Sequence, residues 1–407
     1  MNRGFPTILT AQFFSSLGDN ALLFAAIALL QSLDAPAWQT PVLQQFFVVA
    51  FIVLAPFVGA FADSLPKGRV MFISNSLKML GCLAMLLGLH PLLAYAVVGI
   101  GAALYSPAKY GILTECLPAS RLVWANSWME GLTVAAVILG AIIGGALISD
   151  HHDLMAYVPQ GTDSLLGPHA RPKVAILVML MLYLLAAIFN MFIPKLPIEH
   201  PPEKRTPGFL VRDFWRGFLA LWRDPLGQVS LAVTSLFWGA GTTLRFIILA
   251  WAATSLNMDL EHGTQLTALV AVGLAIGSVL AARFVPLVHA VKVLPLGIIM
   301  GVVVMTMVMV HQLWLAVVML ILIGTLAGSF VIPMNALLQH RGHQLMGSGH
   351  SIAVQNFNEN LSILLMLGAY SLMLKADLSS HGVVLIFGGF IALAMAVLNR
   401  VHGHDQD

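Results

Sequence analysis

The stretch TILTAQFFSSLGDNALLFAAIALLQ, Thr7–Gln31, is 25 residues long and carries one formal charge, Asp19, near its middle. A helix needs about 20 mostly apolar residues to cross a hydrocarbon layer roughly 30 Å thick. The apolar part of a cleaved secretory signal is only about 7–15 residues long. The stretch therefore reads as a first membrane-spanning helix. A strand reading fails, because the run is too long and does not alternate with period two.

The rest of the chain repeats this pattern. Of 407 residues, 59% are hydrophobic and 9% charged, where a soluble domain carries roughly 25% charged residues. So few charges cannot cover a water-exposed surface, so most of the surface must face lipid. A soluble enzyme and a disordered chain are excluded. Twenty Lys+Arg against 18 Asp+Glu leave a net charge of +2, too little for binding nucleic acid. Apolar runs of spanning length occur at 7–31, 43–63, 70–90, 92–117, 122–149, 173–193, 226–256, 264–286, 293–311, 313–338, 347–374 and 383–401. The expected fold is thus an all-α membrane protein of 12 transmembrane helices. Cys82 and Cys116 lie in or at the end of apolar runs, which argues against a disulfide framework and a thiolate metal site.

Charge asymmetry orients the spans. With the N-terminus inside, 14 Lys/Arg fall in cytoplasmic segments and only Arg171, Lys173 and Lys375 outside. Both termini are therefore expected in the cytoplasm. The longest internal polar stretch, 194–224, starts with five prolines between Pro194 and Pro207 and continues with aromatic and basic residues from Phe209 to Phe218. The first part reads as a stiff linker, the second as a helix lying on the inner membrane surface. The expected layout is a six-helix bundle over 1–194, a cytoplasmic linker over 195–224 and a second six-helix bundle over 225–407.

The halves echo each other. Tyr105-Ser106-Pro107-Ala108-Lys109 aligns with Val331-Ile332-Pro333-Met334-Asn335 at an offset of 226, and Glu130-Gly131-Leu132 with Glu359-Asn360-Leu361 at 229. The first offset pairs Asp19 with Arg245 and Lys109 with Asn335. A pseudo-twofold axis along the membrane normal would set Asp19 and Arg245 across one central cavity.

Six charges lie inside helices: Asp19, Lys78, Lys109, Glu130, Arg245 and Glu359. At roughly 2.5–3.5 kcal/mol each they would together cost on the order of 15–20 kcal/mol facing lipid, so they must pair or line a wet cavity. Asp19, with Asn20 beside it, is a candidate switch, proton site or contact for a cationic head group; the plain alternative is a tie between helices. Lys109 follows Pro107, which frees backbone carbonyls and bends the helix; it reads as a phosphate ligand or a partner of Asp19. Arg245 can grip a phosphate or Asp19 through two parallel hydrogen bonds. Glu130 and Glu359 lock a closed state or touch substrate. Lys78 reads as bland, a side chain whose stem snorkels to the surface. Gly140-xxx-Gly144-Gly145 is a small-residue packing face. His151-His152-Asp153 and His340-Arg341-Gly342-His343 read as ordinary loop residues rather than metal ligands. No metal site or cofactor is expected, and no ATP-binding signature occurs. Phe13, Phe24, Phe237, Trp238 and Phe246 are candidates to wall an apolar groove for an acyl chain.

Gly59-Ala60-Phe61-Ala62-Asp63-Ser64-Leu65-Pro66-Lys67-Gly68-Arg69 resembles the loop signature between helices 2 and 3 of the major facilitator superfamily, G-x-x-x-D-[RK]-x-G-R. Ser64 stands in place of the basic residue, and two extra residues precede Gly68-Arg69. Gly59, Asp63 and Arg69 are the conformational residues this resemblance implies. A sharper resemblance, to the bacterial lysophospholipid transporter family, is carried by Phe14–Phe24, Ala55–Gly59, Lys67–Met71, Tyr105–Leu113 and Trp238-Gly239-Ala240-Gly241. It implies movement of 2-acyl-glycerophosphoethanolamine and related lysolipids across the inner membrane to the cytoplasmic leaflet, where an acyltransferase restores the second chain. Some relatives carry that enzyme as a C-terminal fusion; here a separate protein is expected, and the transporter itself is expected to be a monomer among membrane lipids. The residues fit such a substrate, with Asp19 meeting the ammonium and Lys109 and Arg245 the phosphate.

Two rivals remain. A proton-coupled drug or solute exporter would use Asp19 as the titrating group. Such antiporters typically carry G-x-x-x-G-P-x-x-G-G in helix 5, whereas Gly140-Ala141-Ile142-Ile143-Gly144-Gly145-Ala146 lacks the proline. An intramembrane enzyme would need a nucleophile or metal set at workable spacing, and none is evident.

Overall fold

A computed structural model describes residues 4–35, 39–148, 170–194, 206–258 and 260–402. His151-His152-Asp153 lie outside the described residues. All regular structure among the described residues is helical. In chain order the helices are α1 Gly4–Ser32, α2 Gln39–Asp63, α3 Lys67–Leu86, α4 Pro91–Cys116, α5 Leu122–Ile148, α6 Ala170–Met191, α7 Pro207–Arg223, α8 Pro225–Ser255, α9 Leu260–Phe284, α10 Leu294–Thr306, α11 Leu313–Met346, α12 Ser348–Lys375 and α13 Ser380–His402. Among the described residues, twelve segments are long and apolar enough to cross a membrane, and α7 is not one of them.

Helix ends follow local chemistry. Asp34, Gly88, Asn257 and Asp377 adopt positive φ just after α1, α3, α8 and α12. There Ala35, Leu89, Met258 and Leu378 donate back to Leu30, Ala84, Ala252 and Met373, which satisfies carbonyls the helix leaves open. Asp224 caps α8 by accepting from the Gly227 N–H at 2.8 Å, with Pro225 in the first turn where its missing N–H costs nothing.

Two spans depart from the sequence reading. The expected helix over 293–311 is α-helical only over Leu294–Thr306, with 3₁₀ turns at Leu287–Val293 and Met307–Met309. Proline restricts its start, and at its end the Trp251 indole N–H takes the Met307 carbonyl at 3.0 Å. Helix α11 runs on to Met346, past the expected end at 338. His340-Arg341-Gly342-His343 is therefore helical rather than loop, and Arg341 is fastened to Asp224 through Nε at 3.1 Å and through Nη2.

The chain folds as two compact units. The first holds Met1–Cys116, Leu132–Phe214 and the short segment Gly347–Ala353; the second holds Leu117–Gly131, Trp215–Met346 and Val354–Asp407. In the first, α3 packs on α4 and α6, α1 on α6, and α2 on α4. Leu22, Leu29, Met85, Val98 and Met179 form part of its core. Of the expected small-residue face of α5, Gly140 packs against Leu17 and Asn20 and Gly144 against Ala21 and Phe24 of α1, while Gly145 faces open space.

In the second unit α9 packs on α11, and α10 and α8 on α13. Gly273 and Gly277 of α9 meet Gly324 and Gly328 of α11 so closely that a Cβ at any of the four would run into backbone of the other helix. Lipid supplies no hydrophobic drive between helices, so close backbone approach through small residues is what associates them.

Candidate functional site

One face of α1 carries Gln12, Ser15, Ser16 and Asp19, spaced three and four apart so that they stack along the helix. Across from it Lys78 of α3 donates from Nζ to Asp19 Oδ2 at 2.7 Å and to Ser15 Oγ at 3.0 Å. Tyr183 of α6 donates to Asp19 Oδ1 at 2.8 Å. Ser15 donates onward to Asn75 Oδ1 at 2.8 Å, and Gln12 donates to Ser16 Oγ at 2.7 Å. The Lys78 ammonium also sits 4.8 Å from the Tyr105 ring centre and 5.4 Å from that of Tyr183, where aromatic faces stabilise a cation.

This corrects the reading of Lys78. Its side chain has 0% exposure while that of Asp19 keeps 23%. Lys78 does not snorkel; it is the cation that pairs with Asp19. The pair is charge-assisted, and each charge finds further polar partners, as a buried ion pair must to be tolerated. Asp19 thus stays open on one side while held from the other.

The remaining expected residues are distributed as follows. Lys109 belongs to the first unit, is largely buried, and has its ammonium 4.3 Å from the Tyr110 ring centre. Asn20 donates to the Ser16 carbonyl at 2.8 Å. Arg245 belongs to the second unit and is exposed. Glu130, Asn335 and Glu359 belong to the second unit and are buried. There Gln355, which the sequence did not single out, donates to both Asn335 Oδ1 at 2.8 Å and Glu359 Oε1 at 2.7 Å. Of the aromatic candidates, Phe13 and Phe24 lie in the first unit, and Phe237, Trp238 and Phe246 in the second.

A second polar centre of the first unit forms where α2 passes into α3. Asp63 ends α2 and accepts from the backbone N–H groups of Gly349 and His350 at 2.8 and 2.9 Å. It thereby caps the start of α12, whose first N–H groups have no partner inside the helix. Lys67 Nζ bonds Asp63 Oδ1 at 2.6 Å and lies 3.3 Å from Glu115, which accepts from Ser348 Oγ at 3.0 Å. Gly59 lies against the His350 Cα, leaving no room for a Cβ. Gly59 and Asp63 both lie against Gly349 and His350; the basic partner of Asp63 is buried Lys67, while Arg69 is exposed. The insertion of Leu65-Pro66 explains this, since α3 starts at Lys67 and places that residue four positions after Asp63. No group of three or more metal-ligating side chains occurs among the described residues.

Residues 8–366 match the family model described as Major Facilitator Superfamily. A lysophospholipid transporter of Yersinia enterocolitica is 46% identical over 376 residues, covering 92% of this chain and 88% of that relative. One of Escherichia coli is 43% identical over 398 residues, covering 98% and 95%. Among solved structures, the transporter FucP in the outward conformation superposes with a TM-score of 0.73 at 14% identity, covering 98% of this chain and 99% of that one. A bacterial homologue of the iron transporter ferroportin in the outward-facing state gives 0.72 at 16%, covering 98% of each. The two structural likenesses speak to the fold alone.

Proposed function

Because the chain belongs to the major facilitator superfamily and, within it, to the lysophospholipid transporters, we propose that it carries lysophospholipids across the bacterial inner membrane to the cytoplasmic leaflet, where an acyltransferase restores the second chain. The observation that carries this reading is identity of 43–46% to lysophospholipid transporters over nearly the whole chain. The family consists of transporters, so the intramembrane-enzyme reading falls. The site chemistry supports a zwitterionic lipid with one tail. Asp19, held by Lys78 and Tyr183 yet partly open, meets the ammonium, and Lys109 and Arg245 meet the phosphate. The substrate ammonium competes with Lys78 for the same carboxylate, so binding loosens a tie between α1 and α3 and biases the chain toward its other state by alternating access.

In this reading both termini lie in the cytoplasm, two six-helix bundles over 1–194 and 225–407 flank the linker 195–224, and α7 rests on the inner membrane surface. Three arginines, Arg212, Arg216 and Arg223, and exposed Val211, Trp215 and Leu219 suit that place.

Reconstitution into vesicles with labelled lysolipid, following its leaflet with and without ion gradients, tests the function. Uptake is expected to fall at least tenfold in Asp19→Asn, Lys109→Ala and Arg245→Ala, each of which removes a charge-assisted contact worth about 1.5–3 kcal/mol. Near-normal uptake in all three removes the mechanism.

A further inference from the structure

His350 stands at the start of α12 with a carboxylate on each side of its ring. Nδ1 lies 2.8 Å from Asp63 Oδ2, and Nε2 lies 3.1 Å from Asp213 Oδ2 on α7. Its side chain is 12% exposed, that of Asp63 4% and that of Asp213 34%. All three residues belong to the first unit. A neutral imidazole has one N–H and one lone pair, so it can donate to only one of two flanking carboxylates, while its lone pair would face the other. Asp63 is held as an anion by Lys67 and by two backbone N–H groups. Asp213 is the most exposed of the three. Both short contacts are satisfied together only by the imidazolium.

We propose that His350 is a proton-binding site whose occupancy fastens helix α7 to the capped start of α12. The charged groups around it come from four other helices: Asp63 from α2, Lys67 from α3, Glu115 from α4 and Asp213 from α7. These carry three negative charges against the one of Lys67, a surplus that a proton on His350 partly offsets. When the proton leaves, the ring keeps one N–H. Asp63 retains its three other donors, so its hold on α12 survives. Asp213 loses its charged partner, and the Phe209–Phe214 part of α7 is released. Protonation at this surface thus couples the linker helix to the cap beneath it. The proposal goes beyond the lysolipid reading and does not depend on it.

The test is hydrogen–deuterium exchange of the full chain in lipid nanodiscs over a pH series, corrected for intrinsic exchange. In the wild type, amides of 209–214 are expected to exchange faster by roughly tenfold or more as pH rises through the histidine range, the size of one lost charge-assisted hydrogen bond. Amides of 349–353 stay protected. His350→Gln is expected to show fast exchange in α7 at every pH. Asp213→Asn does the same while leaving the histidine and the Asp63 cap in place, so a folding defect at 350 cannot mimic the result. Protection of α7 that is flat with pH in the wild type, or a wild-type profile retained in either variant, overturns the proposal. The readout uses no substrate, so its failure leaves the transport reading standing, and loss of transport leaves this one standing.

Discussion

Lys78 Nζ donates to Asp19 Oδ2 at 2.7 Å from a side chain with no solvent exposure, whereas the Asp19 side chain keeps 23% of its own. That asymmetry predicts unequal costs of breaking the pair. Asp19→Asn strands an ammonium that has no route to water. Lys78→Met leaves a carboxylate that water and Tyr183 still reach. Removing one partner of a buried pair costs about 3–5 kcal/mol, and Asp19→Asn is expected near the top of that range, with Lys78→Met below it. The double variant should be more stable than Asp19→Asn alone. Thermal unfolding in detergent measures all three, and equal costs would remove the argument.

Tyr183→Phe takes away only the hydroxyl that bonds Asp19 Oδ1 at 2.8 Å. The ring, which lies against the backbone of Gly18, remains. The expected loss is about 1.5–3 kcal/mol, the range for a hydrogen bond to a charged group. Lysolipid uptake should fall without being abolished, because Lys78 still holds the carboxylate. Complete loss of uptake in a folded Tyr183→Phe protein would assign the hydroxyl a larger part than positioning.

The spans were legible because their signal is a length, not a periodicity. Apolar runs of bilayer thickness fixed ten of the twelve to within several residues of the structure; the helix that runs on to Met346 and the one shortened to Leu294–Thr306 have ends set by an Asp224–Arg341 pair, a proline and a Trp251 hydrogen bond that no run length encodes. Asp19 stood out as a charge at depth. Its partner did not, because a lysine stem is long enough to snorkel from within a helix and so reads as bland. Depth held the missing signal. Asp19 and Lys78 lie 15 and 11 residues from the starts of α1 and α3, helices that run in the same direction, which at 1.5 Å per residue is roughly 22 and 16 Å. Two opposite charges within about one helical turn of each other in depth are candidates for one another. His350 and Asp213 gave no such signal, since each gains its partner only from tertiary contact, and Gln355 adds Asn335 of another helix to Glu359 one turn along its own.

At the start of α8, Asp224 binds Arg341 and accepts from the Gly227 N–H. The Arg341 hydrogen bond is the main reason its carboxyl titrates below the ordinary aspartate range. A group with a depressed folded value contributes stability above its unfolded value, and that contribution is lost as pH falls through the folded one. The wild type should therefore lose on the order of 1 kcal/mol of stability on the acid side, a modest amount because the pair is partly solvated. Asp224→Asn should be less stable at neutral pH and show a flatter acid limb. Parallel acid limbs in unfolding profiles of the two proteins would contradict this.

Gly349 donates its backbone N–H to Asp63 Oδ1 at 2.8 Å, and a Cβ added there would lie 2.5 Å from that same oxygen and 2.7 Å from the Gly59 carbonyl. Both neighbours are fixed, Asp63 by Lys67 and Gly59 by its place in α2, so the start of α12 must move. Gly349→Ala changes no charge, so it isolates the close approach from the electrostatics. It should uncouple the cap, raise exchange of amides 349–353, and lower lysolipid uptake. Asp63→Asn should weaken the same cap by removing charge while keeping its size. If Gly349→Ala leaves both exchange and uptake as in the wild type, close contact between α2 and α12 is dispensable, and the cap matters only through its charge.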